Sequence, residues 1–303
     1  MDLINIKGNT FYIKGGTNTG VYIYNDNTAL IIDPGLSGLR PKRIINILEN
    51  DNINLKFIIN THEHNDHYGA CNQFREFYKD VNILCSQYAK LYIEHPSLFS
   101  KYIIGGKSNE FMDERLRSKC LEQTYIDEVL NEGIVNLNNE DFKVIDFKGH
   151  TPGSIGILTK DKVLFVGDLL IGLNMFEKYD FLFLYDLKEY INSLDKLRNI
   201  DFEYIVASHS KDLITKKESE KIIKNHEAAV YKYVNQIKEE LNTPMGVEVL
   251  LKNIILKNSL KCNYKEYHFF KSSLISVISY LASLQEIDYI LSQGELLYYT
   301  KRK

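Results

Sequence analysis

The sequence has no tryptophan and only five prolines among its 303 residues. Its cysteines, Cys71, Cys85, Cys120 and Cys262, are scattered with no Cys-x-x-Cys pair. This argues against a disulfide framework and predicts reduced thiols. No run reaches the roughly 18 apolar residues of a membrane span, and the first residues have neither the basic region nor the apolar run of a signal peptide. We therefore expect a cytoplasmic protein that does not bind a membrane.

An excess of charge of one sign is also absent. The chain has 37 Lys+Arg against 40 Asp+Glu, a net charge of −3. A general nucleic-acid-binding protein would carry a large positive excess, so nucleic acid is not the favoured partner. Residues 245–303 hold 8 Lys/Arg against 5 Asp/Glu, a mild excess that keeps nucleic acid open as a partner of this last part. A homodimer is also left open.

Strand-like and helix-like patterns alternate along most of the chain. Strands are predicted over 10–14, 20–24, 28–33, 55–60, 81–85, 142–147, 156–158, 163–166 and 203–207. Helices are predicted over 41–50, 67–80, 187–199, 216–242, 247–257 and 265–284, with one or two more within 86–127 and a hairpin near 289–299. We expect an α/β domain over 1–215, a connecting helix over 216–244, and a small helical, winged-helix-like C-terminal domain over 245–303.

The most closely spaced residues that could bind a metal follow the predicted strand 55–60, where residues 61–67 read Thr-His-Glu-His-Asn-Asp-His. The motif places His62, His64, Asp66 and His67 within six positions. Side chains two apart on an extended chain point to the same side, and imidazole with carboxylate suits zinc and similar transition metals. The motif therefore predicts a site for one or two metal ions.

Further metal-capable residues follow other strands. His150 lies in Gly-His-Thr-Pro-Gly-Ser, Asp168 in Phe-Val-Gly-Asp, and His209 comes after Tyr-Ile-Val-Ala. Taken alone, Asp168 and Asp33 (in Ile-Asp-Pro-Gly) could be simple turn residues, but their coincidence with the motif at 61–67 favours roles at the metal site. The remaining histidines belong to no motif and are interpreted as surface or hydrogen-bonded core residues: His95, His226 and His268.

Together these motifs resemble the metallo-β-lactamase superfamily, and in particular its glyoxalase II-like members. All five, starting with Ile32-Asp33-Pro34-Gly35, occur in the family's order across about residues 5–215. The resemblance implies an αββα sandwich, in which helices flank two β-sheets. One departure concerns the last motif, which reads Ala207-Ser208-His209-Ser210 where many members have Pro-Gly-His-Gly. The turn that carries His209 therefore differs from the family pattern.

The resemblance also implies two divalent metal ions, with zinc expected and iron or manganese also accepted by such ligands. The implied ligands of the first ion are His62, His64 and His150. Those of the second ion are Asp66, His67 and His209. Asp168 would bridge the two ions, and Asp33 would orient a ligand imidazole.

Such a site predicts a metal-dependent hydrolase that acts on a small molecule. A hydroxide bridging the metals would attack an ester-like bond, with a thioester or lactone expected. Asp66 and Asp168 are the predicted catalytic residues, because they would hold the hydroxide and its proton. The aromatic segment 174–186 is predicted to line the substrate pocket through Phe176, Tyr179 and Tyr185, although its rings could instead pack on the core.

Other activities on the same fold remain as alternatives. An endoribonuclease or other phosphodiesterase would use the mildly basic tail, and a persulfide dioxygenase would use a single iron. A glutathione thioester is not favoured as the substrate, because residues 211–303 contain no matching basic motif. Nothing in the sequence predicts a nucleophilic serine or cysteine, a P-loop or a dinucleotide-binding motif.

Overall fold

A computed structural model describes residues 1–116, 122–176 and 180–301. In the first half of the chain, the elements are β1 (Ile4–Lys7), β2 (Thr10–Ile13), β3 (Thr19–Ile23), β4 (Thr28–Ile32), α1 (Leu39–Asn50), β5 (Asn54–Ile59), α2 (Asn65–Tyr68), α3 (Cys71–Phe77), β6 (Asn82–Ser86), α4 (Gln87–Glu94), α5 (Ser97–Ile104), α6 (Glu110–Leu116) and β7 (Glu128–Leu130). In the second half, they are β8 (Gly133–Leu137), β9 (Glu140–Asp146), β10 (Ile155–Leu158), β11 (Val163–Phe165), α7 (Leu173–Phe176), α8 (Leu187–Arg198), β12 (Tyr204–Val206), β13 (Ile214–Thr215), α9 (Lys216–Glu240), α10 (Val247–Lys257), α11 (Tyr264–Ser283), β14 (Ile287–Ser292) and β15 (Glu295–Thr300).

Two large sheets form the centre of the fold. The first has seven strands in the order β1 to β7, and the second has six in the order β13-β12-β11-β10-β9-β8. Side chains alternate between faces along β4: Ala29 and Ile31 pack under the outer helices, whereas Leu30 and Ile32 pack between the sheets. Both faces of β4 are buried, which is why its sequence is a continuous apolar run rather than an alternating one.

Helices cover the outer faces of both sheets. Buried residues of α1, α3 and α4 pack against the first sheet, and those of α8, α9, α10 and α11 pack against the second. The resulting layer order is helix, sheet, sheet, helix. The predicted αββα sandwich is confirmed.

The C-terminal helices share a core with the second sheet. Leu250 of α10 and Leu274 of α11 belong to the same buried cluster as Ile145 of β9 and Leu164 of β11. The hairpin β14–β15 follows α11, as predicted. The three-part division of the chain and the winged-helix topology stay predictions. Within the described ranges, no helix is both long enough and apolar enough to cross a membrane.

The predicted single helix over 67–80 is wrong, because the segment forms two short helices, α2 and α3. The Gly35 amide donates to the His67 carbonyl at 2.8 Å, and the Ala70 amide donates to the Gly35 carbonyl at 2.8 Å. In a continuous helix, the His67 carbonyl and the Ala70 amide would form hydrogen bonds within the helix; here both bond to Gly35 instead. The break lets α2 present Asp66 and His67 independently of α3.

Local structure also differs between residues 86 and 137. Three helices, α4, α5 and α6, lie where one or two were predicted. Pro96 directly precedes α5, and Gly105 ends it in the left-handed conformation at φ 77°, so two breaker residues separate the segments. Strands β7 and β8 were not predicted; they have only three and five residues, and such short runs carry little β signal.

Candidate metal centre

The histidine motif begins just beyond the end of β5. His64 is the extended N-cap of α2, at φ −74° and ψ 138°, so His62 and His64 lie on non-helical chain. Asp66 and His67 lie in the first turn of α2. The change from loop to helix separates the four side chains into two pairs.

One group of potential ligands combines His62, His64, His150 and Asp168, with one ligand atom from each lying within 4.8 Å of the others. His150 follows β9, and Asp168 follows β11. His64 Nδ1 lies 3.1 Å from His150 Nε2, which in turn lies 3.5 Å from Asp168 Oδ2. Three strand ends therefore converge on one point.

A second group combines Asp66, His67 and His209, again with ligand atoms within 4.8 Å of one another. His209 Nε2 lies 3.2 Å from Asp66 Oδ2, and His67 Nε2 lies 3.8 Å from the same oxygen. The altered turn around His209 therefore still delivers its imidazole to the cluster.

Asp168 lies between the two groups. Its Oδ1 is 3.4 Å from His67 Nε2. Its Oδ2 is 3.4 Å from His209 Nε2 and 3.5 Å from His150 Nε2. One carboxylate thus faces imidazoles of both groups, which is the position that a bridging ligand requires.

The outer nitrogens of three imidazoles are fixed by oxygen acceptors. His67 Nδ1 donates to Asp33 Oδ2 at 2.8 Å, His150 Nδ1 to the Phe183 carbonyl at 3.0 Å, and His209 Nδ1 to the Gly16 carbonyl at 2.7 Å. A donor on Nδ1 leaves the Nε2 lone pair directed at the centre, as a metal ligand needs.

Asp33 organises the loop beside the cluster. It lies directly after β4 in the left-handed region at φ 55°. Its carboxylate accepts the Thr61 amide at 2.8 Å, the Thr61 hydroxyl at 2.7 Å and His67 Nδ1 at 2.8 Å. It therefore joins the start of the histidine motif to one of the imidazoles.

Replacing Asp33 by Asn should weaken metal binding by about 10- to 100-fold, since partners that orient ligand imidazoles typically contribute that much. Asn tolerates a positive φ, so the backbone should be retained while the charge opposite His67 is lost. Metal titration monitored by calorimetry measures the change. Asp51→Asn, at an exposed turn after α1, is the matched control. Equal affinities in both variants would contradict the orienting role.

Three buried atoms of the two groups have no hydrogen-bond partner among the described residues: His62 Nε2, His67 Nε2 and Asp168 Oδ1. Buried polar atoms are almost always hydrogen-bonded, so three such atoms within the ligand groups indicate a bound group that contacts them. Nitrogen and oxygen donors in this number suit a divalent transition metal. The residues therefore fit the metal ions that the sequence implies.

The protonation states differ between the two groups. Burial lowers the pKa of His62, His64 and His150, so these imidazoles are neutral and their lone pairs are free. Burial opposes charge on His67 too, but Asp168, Asp33 and Asp66 raise its pKa to about 10. Asp168 raises the pKa of His209 to about 12. Metal binding at the second group must therefore displace protons.

A cavity of about 410 Å³ opens onto the cluster. His64, Asp66, His150, Asp168 and His209 all contribute to its wall, so the ligand groups face a space that a small molecule can enter. Such a volume falls within the range of small-molecule sites, roughly 300–1,000 Å³. The arrangement has the open face that separates a catalytic metal site from a structural one.

The aromatic segment 174–186 contributes Phe181 and Phe183 to this cavity, and neither was among the residues predicted to line it. Phe176 packs against the His226 ring, 4.6 Å between centroids, and Tyr185 is 44% exposed, so neither ring is among the described lining side chains. Tyr179 lies outside the described residues.

His226, one of the histidines that belong to no motif, is a buried residue with hydrogen bonds to the backbone. Its Nε2 accepts the Ile171 amide, and its Nδ1 donates to the Ile222 carbonyl.

Sequence reasoning missed Asn18, which braces the His209 turn. Its side-chain amide donates to the Ala207 carbonyl at 3.0 Å and to the Ser210 carbonyl at 2.7 Å. The backbone amide of Asn18 donates to the Ser208 carbonyl at 2.8 Å. A lone Asn between two strands gave no signal, because the bracing depends on a contact with residues far away in the chain.

A four-layer αββα fold with clustered histidine and aspartate ligands at the open end of its sheets defines a class of metal-dependent hydrolases. Residues 13–209 match the family model of the metallo-beta-lactamase superfamily, and the chain belongs to that superfamily. The predictions of the family, and of an enzyme of the metal-dependent hydrolase class, are confirmed.

Named relatives come from several bacteria. Hydroxyacylglutathione hydrolase 1 of Vibrio vulnificus is 26% identical over 263 residues, covering 82% of this chain and 89% of the relative. Hydroxyacylglutathione hydrolase GloC of Haemophilus influenzae is 32% identical over 163 residues, covering 52% of this chain and 70% of the relative.

Solved structures share the fold over nearly the whole chain. A beta-lactamase domain protein from Burkholderia ambifaria aligns with a TM-score of 0.76 at 16% identity, covering 99% of this chain and 94% of that protein. A metallo-beta-lactamase family protein from Thermus thermophilus aligns with a TM-score of 0.67 at 17% identity, covering 94% of each chain. The likeness extends through the C-terminal helices, and at these identities it concerns the fold alone.

Proposed function

We propose that the protein is a dinuclear metal-dependent hydrolase that cleaves thioesters, with lactones as the next ester-like class. The observation that carries the proposal is the position of Asp168 between two ligand groups on the wall of one cavity. The first ion would be held by His62, His64 and His150. The second ion would be held by Asp66, His67 and His209. Asp168 would contact both.

Bound divalent ions supply an activated water nucleophile at neutral pH and polarise the substrate carbonyl. The protein itself provides the Asp66 and Asp168 carboxylates at the site and keeps both negatively charged. Burial alone would raise the pKa of Asp66, but His67 and His209 hold it below its usual range. Burial likewise opposes charge on Asp168, whose pKa the same two imidazoles hold well below normal. Both carboxylates therefore remain ionised at the cavity wall, as metal ligands must be.

A thioester is supported by the names of the relatives, since a hydroxyacylglutathione is a thioester. The thiol portion of the substrate is a separate question. Lys265 is the one Lys or Arg among the described residues that line the cavity, whereas Glu63 and Glu266 also line it. Glutathione brings carboxylates that this lining is poorly suited to bind, so we propose a thioester of another thiol.

The proposal is tested on the purified protein by elemental analysis, coupled to hydrolysis assays. The substrates are an acetyl and a hexanoyl thioester, S-lactoylglutathione, a lactone, a phosphodiester and a short RNA. We expect close to two divalent ions per chain and fastest turnover of a thioester. One iron per chain with oxygen consumption would refute the proposal in favour of a dioxygenase. Selective cleavage of RNA would refute it in favour of a nuclease.

His209→Ala should remove about one metal equivalent per chain and leave the first group occupied. His209 Nε2 lies near Asp66 and Asp168, whereas the ligands of the first group do not include it. Elemental analysis before and after dialysis against a weak chelator gives the stoichiometry. His95→Ala, at the exposed end of α4, should keep both equivalents. Unchanged stoichiometry in His209→Ala would mean that His209 is not a ligand.

A further inference from the structure

Three phenylalanine rings from separate parts of the chain meet beside the first ligand group. Phe99 belongs to α5, Phe183 to the segment before α8, and Phe269 to α11. Ring centroids of Phe183 and Phe269 lie 4.6 Å apart, and those of Phe99 and Phe269 lie 6.0 Å apart. We call these three residues the aromatic wall. Their meeting depends on α11, so the C-terminal region forms part of the site.

The aromatic wall touches the ligand imidazoles directly. The His64 ring lies 5.6 Å from Phe99 and 5.5 Å from Phe183, centroid to centroid. The His150 ring lies 5.5 Å from Phe183. A group bonded to a carbonyl held at the ligand cluster would therefore lie next to apolar ring surface.

The space next to the wall is apolar and large enough for a substantial group. Leu116, Met175, Phe181, Leu182 and Phe270 line it along with the wall. An apolar cavity of about 150 Å³ accommodates benzene, whereas the whole cavity here, including its part at the ligand groups, measures about 410 Å³. A methyl group would leave most of that volume unfilled, and burying apolar surface there is favourable.

The charges at the site argue against a polyanionic group in this space. Lys265 is the single Lys or Arg among the described lining residues, and its ammonium lies 5.0 Å from the Phe269 ring centroid. Two acidic residues, Glu63 and Glu266, also line the cavity, and Glu63 is buried. Burying a charged group of the substrate against three phenyl rings would cost free energy with little compensation.

We infer that the substrate's acyl group is apolar, either a medium-length alkyl chain or an aryl group, and that it lies against the aromatic wall. This inference rests on the proposed thioester hydrolysis. Biological thiol carriers are polar, so the apolar cavity fits the acyl side of the bond and not the thiol side. Phe269, which α11 contributes, is a specificity-determining residue on this account.

The test uses the metal-loaded protein and a series of thioesters with one common thiol and acyl groups from acetyl to octanoyl, plus phenylacetyl. We expect kcat/KM to rise about fourfold per added methylene, the equivalent of ~0.8 kcal/mol, until the cavity is filled. Phe269→Ala should reduce the hexanoyl-to-acetyl ratio of kcat/KM about tenfold. Phe269→Leu should restore part of it. Phe77→Ala, an exposed phenylalanine on α3, should leave the ratio unchanged.

A second measurement separates this inference from the proposed function. Phenylacetamide carries the apolar group without a thioester or a charge, and ligand-detected NMR should show it binding to the wild type and not to Phe269→Ala. Absence of metal-dependent hydrolysis, with this binding retained, would refute the thioesterase and leave the apolar site standing. A flat dependence of kcat/KM on acyl length, or no phenylacetamide binding, would overturn the inference itself.

Discussion

The His62→Ala/His64→Ala double variant is expected to retain almost no bound metal in the first group and to lose at least about 10³-fold in kcat/KM. His62 is buried, His64 is partly buried, and both belong to one ligand group. Removing them leaves His150 and Asp168 alone, which is too few donors for a stable site. Elemental analysis and thioester hydrolysis measure the two effects.

The matched control for this variant is His95→Ala/His268→Ala. It removes the same number of imidazoles from positions outside both ligand groups and should keep full metal content and turnover. Circular dichroism checks that the fold of each variant is intact. Retention of metal loading together with turnover in His62→Ala/His64→Ala would disprove the assignment of the site.

Asp168→Asn should reduce activity about 10³-fold and weaken the binding of both metal ions. The amide has nearly the same shape as the carboxylate but removes a negative charge that faces His67, His150 and His209. Since Asp168 contacts both groups, its loss should affect both ions, in contrast to the loss of one ion in His209→Ala. Elemental analysis distinguishes these two outcomes.

The metal-free protein provides a second readout for Asp168. The Asp168 carboxylate is the main cause of the raised pKa of His209, about 12. In Asp168→Asn that pKa should fall toward the ordinary value for an imidazole, which an NMR titration of the His209 ring measures. Asp201→Asn, at an exposed ion pair with Lys162, should leave it unchanged. An unaltered pKa in Asp168→Asn would show that the carboxylate and the imidazole do not interact as described.

The positions of the longer buried strands, and the residue types that could bind a metal, could be predicted from the sequence because both are local properties. The buried run in β5 and the histidine spacing after it depend only on neighbouring residues. The break between α2 and α3 could not be predicted, since it depends on hydrogen bonds to Gly35. Helical periodicity continues through the break and gives no sign of it.

The pocket was the part that local patterns described least well. The aromatic-rich segment before α8 was correctly predicted to reach the cavity, but the rings of its described part that line the cavity are Phe181 and Phe183. Phe99 and Phe269 come from helices whose sequences look like ordinary amphipathic helices. Their convergence depends on how α5 and α11 pack, which periodicity within one segment does not encode.

By itself, the sequence determined the donor chemistry: imidazoles and carboxylates at strand ends, in the order of one superfamily. The resemblance to that superfamily also implied how the donors divide into two groups around Asp168. Tertiary structure alone decided how Asn18 braces the altered His209 turn and which rings line the cavity. The physical reason is that a ligand's identity belongs to one residue. The distance between strand ends a hundred residues apart is instead fixed by sheet register and core packing.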